Sequence, residues 1–278
     1  VLKNYSETVS IARDYYNGND ADNFYYRIWG GEDIHVGIYS EPGESVRQAS
    51  QRTVERMVSK LNREIVPGTR VLDIGSGYGG VARYLAKMFG CNVTALNLSE
   101  VENRRHRQMN EEQGVADLIE VIDGSFEDLP FPEANFDVVW SQDAICHSDN
   151  RRRVVQEVVR VLDAGGQFVF TDILQADDCP DGVLQPILDR IHLTSLGSPS
   201  FYRSACEAAG LHEVSFQELT HCLIEHYERI AKEMANHSDS LHESVSGIFI
   251  ENMLKGLGHW VEGGKKGYLV WGIFVYEK

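Results

Sequence analysis

Apolar residues recur at spacings of three and four from Val46 to Leu61, which predicts an amphipathic helix, and residues 5–63 read as helical throughout. Pro67-Gly68 breaks that pattern. Beyond it, short apolar runs predict strands at Arg70–Ile74, Asn92–Asn97, Ile119–Asp123, Phe136–Ser141, Gln167–Ile173, Glu213–Leu219 and Tyr268–Glu277. Helical periodicity fills the gaps at Val81–Phe89, Glu100–Gln113, Arg151–Leu162 and Tyr202–Ala209. Strand and helix alternating at this interval predict an α/β fold: a mostly parallel sheet with helices on both faces. Residues 175–199 and 221–264 interrupt the alternation and read as helical insertions. Segments placed beside the carboxyl ends of the strands are positioned to close over a ligand. The organisation expected is a helical cap over residues 1–64 and one α/β domain over 65–278.

Composition narrows the function classes. With 42% hydrophobic and 24% charged residues the chain is ordinary for a globular protein, and its apolar runs are too short to span a bilayer. No basic stretch followed by an apolar one opens the chain, so secretion is not expected. Acidic residues outnumber basic ones 42 to 26, for a formal charge of −16. That field repels phosphodiester backbones and anionic lipid, which argues against nucleic acid and membrane surfaces as partners. The cysteines at 91, 146, 179, 206 and 222 include no CxxC pair, which suits reduced thiols in a cytoplasmic compartment. No metal is expected. A monomer and a homodimer are both compatible with these properties.

The candidate chemistry begins at Asp73-Ile74-Gly75-Ser76-Gly77-Tyr78-Gly79-Gly80, where a strand turns into a helix. Glycines allow close backbone approach, and the helix amino terminus behind them favours an anionic group. Gly75, Gly77 and Gly80 satisfy the dinucleotide fingerprint GxGxxG. Asp73, Gly75, Gly77 and Gly79 equally satisfy the pattern of class I methyltransferases, so the loop leaves two cofactors open. About 20 residues further on, both families normally hold a ribose with an acidic residue. Asn97 stands there instead, next to Leu98.

Residues 124–166 separate the two readings. The series Gly124-Ser125-Phe126-Glu127-Asp128-Leu129-Pro130, then Phe136-Asp137-Val138-Val139-Trp140-Ser141, then Gly165-Gly166, resembles class I S-adenosylmethionine-dependent methyltransferases over roughly residues 65 to 175. That resemblance implies a Rossmann-like seven-stranded sheet and S-adenosyl-L-methionine as cofactor. It implies cofactor contacts from Asp73, Gly75, Ser76, Gly77, Asn97, Leu98, Ser125, Phe126 and Gln142. The family normally has Asp or Glu where Ser125 stands.

Over the whole chain the sequence is similar to sarcosine/dimethylglycine N-methyltransferases, which make glycine betaine. Tyr15-Tyr16, Phe24 to Gly30, Ser141 to His147 and Trp271-Gly272 resemble small-molecule methyltransferases acting on phosphoethanolamine, tocopherol and glycine-derived amines. The resemblance places Tyr16 and His147 beside the transferred methyl and Tyr25 on the cofactor, with His35 and Val36 as further contacts. Chemistry gives the pair a role: an amine must shed its proton before its lone pair attacks a sulfonium methyl, and histidine is the usual base. The aromatic group Tyr15, Tyr16, Tyr25, Tyr26 and Trp29 suits both helix packing and cation–π contact with ammonium or sulfonium, worth ~0.5–2 kcal/mol each. A carboxylated small-molecule amine needs a cation for its other end, with Arg27, His192 and Arg203 as candidates. Another small acceptor, phosphoethanolamine or a tocopherol-like phenol, remains open, as does a cofactor-binding module without activity.

Overall fold

The computed structural model describes residues 5–191 and 193–278. Their sheet has seven strands in the order β3-β2-β1-β4-β5-β7-β6: β1 (Arg70–Ile74), β2 (Asn92–Asn97), β3 (Ile119–Asp123), β4 (Phe136–Gln142), β5 (Leu162–Gln175), β6 (His212–Glu218) and β7 (Leu269–Glu277). The first five run parallel, and β7 inserts antiparallel between β5 and β6. The helices are α1 (Glu7–Tyr16), α2 (Asn19–Ile28), α3 (Val46–Val58), α4 (Gly80–Phe89), α5 (Glu100–Glu112), α6 (Arg151–Val161), α7 (Gln185–Arg190), α8 (Pro199–Ala208), α9 (Thr220–Asn236), α10 (Ser238–His242) and α11 (Gly247–Lys265).

Strands buried on both faces read as continuous apolar runs, and β4 is buried from end to end. One face packs Phe168, Phe170 and Phe274 in a stack, with ring centroids 4.6 and 4.8 Å apart. The other buries Trp140 with Leu85 and Val93. A third cluster lies above the sheet, where α2, α9 and α11 bring Phe24, Leu223, Met253 and Trp260 together over Trp271. Two ends of the chain therefore build a helical layer across the carboxyl edge of the strands.

Two segments differ from the expected helices. Within 175–199 only α7 is helical before α8 starts, because Pro180, Gly182 and Gly197 punctuate it with turns. Within 5–63 the helices are separated by an irregular stretch at 29–45. That stretch is fixed by side chains: Val36 N–H donates to Asp143 Oδ2 at 2.8 Å, Thr53 Oγ1 donates to Val36 O at 2.8 Å, and Gly37 N–H donates to His226 Nδ1 at 3.1 Å. The insertion at 221–264 is helical as expected.

Candidate active site

Two adjoining cavities open at the carboxyl edge of the sheet. The smaller, about 110 Å³, is walled by the ends of β1, β2 and β4 and roofed by α1 and residues 33–35. The larger, about 580 Å³, lies among α1, α2, α7, α9 and α11. They share Ala12, Tyr16, Ile34, His35, Asp143 and His147. Whatever passes between two bound molecules passes there.

The smaller cavity gathers Asp73, Gly75, Ser76, Gly77, Asn97, Leu98, Ser125, Phe126 and Gln142, all nominated from sequence. Gly75 has φ +79°, and a Cβ on it would sit 2.4 Å from that of Ala144, so β1 and the turn after β4 meet only over a glycine. Asp73 Oδ2, Ser76 Oγ and Gln142 Nε2 are buried here without a hydrogen-bond partner. Buried polar groups are ordinarily paired, so these three await a polar ligand. Four acidic side chains, Asp33, Asp73, Glu102 and Asp143, line the cavity. Burial, then the neighbouring Asp33, pushes Asp73 up to about 7. His35 lies between acids: burial opposes its protonation, but Asp33 and Asp143 outweigh that and raise its pKa. A small cavity this acidic suits a cationic ligand with polar ends.

At the junction, the Tyr16 hydroxyl lies 3.1 Å from His147 Nε2. Tyr16 closes α1, and α1 is latched down where Arg13 and Asn17 both donate to Glu100 and Ser99 Oγ donates to Asn17 Oδ1. His147 ends a 3-10 turn, Ile145–His147, held from below. Asp172 Oδ1 accepts from Cys146 N–H at 3.0 Å, and Arg151 Nη2 donates to Cys146 O at 2.9 Å. Burial, then Arg151, lowers His147 to about 4, while burial keeps the Tyr16 phenol protonated. Asp143 takes φ +49°, unusual for a non-glycine residue. Its carboxylate accepts from Val36 N–H, Thr171 Oγ1 and Trp271 Nε1 at 2.7–2.8 Å, and these bonds hold the strained turn.

The chain matches the family model described as a methyltransferase domain over residues 72–170. It is 56% identical to the sarcosine/dimethylglycine N-methyltransferase of Halorhodospira halochloris over 98% of this chain and 97% of that one. Identity to the enzyme of the same name from Aphanothece halophytica is 54%, with 96% of each covered. A crystal structure from Galdieria sulphuraria, assigned as a sarcosine dimethylglycine methyltransferase, superposes with a TM-score of 0.90 at 40% identity, covering 95% of this chain and 98% of that one. This chain belongs to the sarcosine/dimethylglycine N-methyltransferase family. It is a methyltransferase, and the dinucleotide reading of its glycine loop falls.

In this methyltransferase the larger cavity is aromatic, lined by Tyr15, Tyr16, Tyr25, Trp29, Tyr227 and Trp260. Tyr25, expected on the cofactor, lines this cavity and not the smaller one. On α2 its ring packs against Tyr16 at 5.8 Å and Trp29 at 5.0 Å, and its hydroxyl bonds that of Tyr15, one aromatic layer from the glycine loop. Val36 lines only the larger cavity, and His35 lines both. Tyr26 lies outside both, under the Arg105 guanidinium at 4.3 Å. Two of the expected carboxylate partners are elsewhere as well. Arg27 reaches Ser240 O, and Arg203 pairs with Glu213. His192 lies outside the described residues.

Three residues escape a reading of the sequence. Glu102, five positions after Asn97, is buried in the smaller cavity and accepts from Asn97 Nδ2 at 2.8 Å. The carboxylate missing from the end of β2 thus stands in the first turn of α5, where Glu100 and Glu102 are both acidic and Glu102 is the buried one. Arg190 lines the larger cavity. His226 is buried in its wall with Nε2 unpartnered, since Nδ1 accepts from Gly37 N–H. Neither Arg190 nor His226 belongs to a motif. Among the described residues no group of three or more His, Cys, Asp or Glu is placed to hold a metal, and no helix is long and apolar enough to cross a membrane.

Proposed function

We propose that the protein transfers the methyl group of S-adenosyl-L-methionine to the nitrogen of sarcosine and then of dimethylglycine, forming glycine betaine in the cytoplasm. The observation that carries this reading is the pair of cavities meeting at Tyr16 and His147, one acidic and rich in orphaned polar atoms, the other aromatic. The cofactor supplies a sulfonium methyl as the group transferred. Asp73, Ser76 and Gln142 would hold its polar atoms, with Gly75 and Gly77 beneath its amino-acid end. Asn97 and Glu102 would take the ribose, with Leu98, Ser125 and Phe126 around the adenine. The four carboxylates favour a cofactor carrying sulfonium and ammonium charge over its neutral-sulfur product.

At the junction the residues orient the acceptor and handle its proton. An aliphatic ammonium titrates near 10, as lysine does, so proton transfer to a histidine near 4 would be uphill by about 8 kcal/mol. Tyr16 and His147 therefore position an amine already in its free-base form. The Tyr16 oxygen can accept the one N–H of free-base sarcosine while its own proton is donated to His147 Nε2. Much of the rate then comes from holding nitrogen and methyl in line. The rings of Tyr25, Trp29 and Tyr227 stabilise the quaternary ammonium as it forms, at ~0.5–2 kcal/mol each. Residues 5–64 act as the cap, since α1 and residues 33–36 roof the junction. A small-molecule amine is thus the partner. Phosphoethanolamine would call for several converging cations, and besides histidines the described lining offers Arg190 and Lys255.

A radiolabelled methyl-transfer screen over glycine, sarcosine, dimethylglycine, phosphoethanolamine and phenols tests the reading. Turnover should be confined to sarcosine and dimethylglycine, with kcat/KM rising up to the amine pKa and no plateau near 6.5. Transfer to phenols alone, or none despite cofactor binding, would refute it.

A further inference from the structure

The acceptor cavity holds an arginine in an unusual position. Arginines at 13, 63, 70, 83, 105, 153, 160 and 203 pair with carboxylates, while Arg27 and Arg151 bond to neutral oxygens; what sets Arg190 apart is that it lines the acceptor cavity. Arg190, the last residue of α7, is half-buried and forms no ion pair among the described residues. Its Nη2 donates to the thioether sulfur of Met253 at 2.8 Å, a weak acceptor for a charged donor. The adjacent Asp189 is turned to Gln185, whose Nε2 donates to its Oδ1 at 2.6 Å. The guanidinium also lies flat on α11. A Cβ at Gly256 would fall 2.2 Å from Arg190 Nε and 2.5 Å from Cζ. Glycine weakens a helix interior, so its place here has a packing reason: it seats the cation against the cavity wall. The charge is felt by the aromatic lining, for Arg190 opposes the burial that raises the hydroxyl pKa values of Tyr15, Tyr25 and Tyr227.

We propose that Arg190, seated on Gly256, is the anchor for the carboxylate of the methyl acceptor, exchanging the Met253 sulfur for a carboxylate fork. This rests on the amino-acid reading above and names the residue that enforces it. The amine end then faces Tyr16 and His147 while the acid end is fixed across the cavity. An amino alcohol with the same dimethylamino head gains nothing from Arg190, so the arginine also sets specificity.

The test compares Arg190→Gln, Arg190→Lys and Gly256→Ala on dimethylglycine and on N,N-dimethylethanolamine. A charge-assisted hydrogen bond of ordinary strength corresponds to roughly 10- to 100-fold in affinity. Arg190→Gln should raise KM for dimethylglycine by about that factor, with kcat within about threefold and KM for the alcohol unmoved. Arg190→Lys should recover part of the loss, since it keeps charge without the fork. Gly256→Ala keeps the charge but displaces it, and should raise the same KM. Cofactor affinity should stay at wild-type values in all three, and the thermal unfolding midpoint in the two Arg190 variants. Equal losses on both amines, or none, would overturn the proposal. So would a KM increase confined to His226→Asn, which keeps an acceptor for Gly37 N–H but loses the Nε2 donor, because the anchor would then lie on α9. If the wild type methylated neither acid, the functional reading would fail. A calorimetric titration with acetate would still decide this one: binding equal in wild type and Arg190→Gln overturns it.

Discussion

The two cavities are built by opposite rules. The cofactor side is assembled from the ends of neighbouring strands and the first turns after them, and backbone, glycines and short polar side chains shape it. The acceptor side is assembled from helices at both ends of the chain, and rings shape it. Strands pinned in register have little freedom, so the cofactor wall is set locally. The acceptor wall depends on how α2, α7, α9 and α11 pack, and each can change without touching the glycine loop. The glycine-loop wall is therefore fixed by the sheet and the acceptor wall by the helical layer above it. Only Tyr16, His147 and their few neighbours answer to both.

The largest effect should come from breaking that shared boundary. His147→Ala removes the Tyr16 partner without touching either cavity's far wall. Turnover of sarcosine should fall by about 10²- to 10³-fold through lost alignment of the amine, while cofactor affinity and acceptor KM change little. Stopped-flow single turnovers at saturating substrates measure it. Near-normal rates across pH would remove His147 from the mechanism. Tyr16→Phe should give a smaller loss, because the ring still packs on Tyr25.

Next in size is damage to the local wall alone. Gly75→Ala meets a left-handed φ and the Ala144 methyl together. The two terms are worth about 2–5 kcal/mol, so cofactor affinity should drop by roughly 10²-fold. Ala144→Gly should return the steric part and not the backbone part, which a double-mutant cycle by calorimetry separates. If Gly75→Ala altered acceptor KM as strongly as cofactor affinity, the two walls would not be independent.

The same contrast explains what can be read from sequence. β1, β2 and β3 fall where period and turn residues put them, because each is a short apolar run between punctuating loops. The residues nominated for the cofactor come with them into the smaller cavity, since ligands bind at the carboxyl ends of such strands. The cavity that Tyr25 lines depends on the crossing of α1 and α2, which no local pattern encodes. Arg190 is invisible for the same reason: its partner surface, Gly256, lies 66 positions away. Residues 175–199 carry enough apolar positions for helices, yet Pro180 and Gly182 prevail.

The smallest expected effect tests the sign of the cofactor cavity. Burial pushes Glu102 up to about 8 and Asp73 to about 7, so both retain protons close to neutrality. A cationic cofactor favours their ionised forms, so binding should release protons and affinity should rise, by up to roughly tenfold, between pH 6 and 8. Calorimetry in buffers of different ionisation enthalpy counts those protons. Glu102→Gln should cut affinity only about threefold, because its amide oxygen can still accept from Asn97, and should flatten the pH slope while leaving the Asp73 component. The fold reports the same group. A carboxyl raised from 4.5 in the unfolded chain to about 8 in the native one costs stability progressively as pH climbs through that window. Urea midpoints of wild type should therefore fall more between pH 5 and 8 than those of Glu102→Gln. Acceptor KM at saturating cofactor should not distinguish the two proteins, and a shift there would show that the acidic wall reaches across the junction after all.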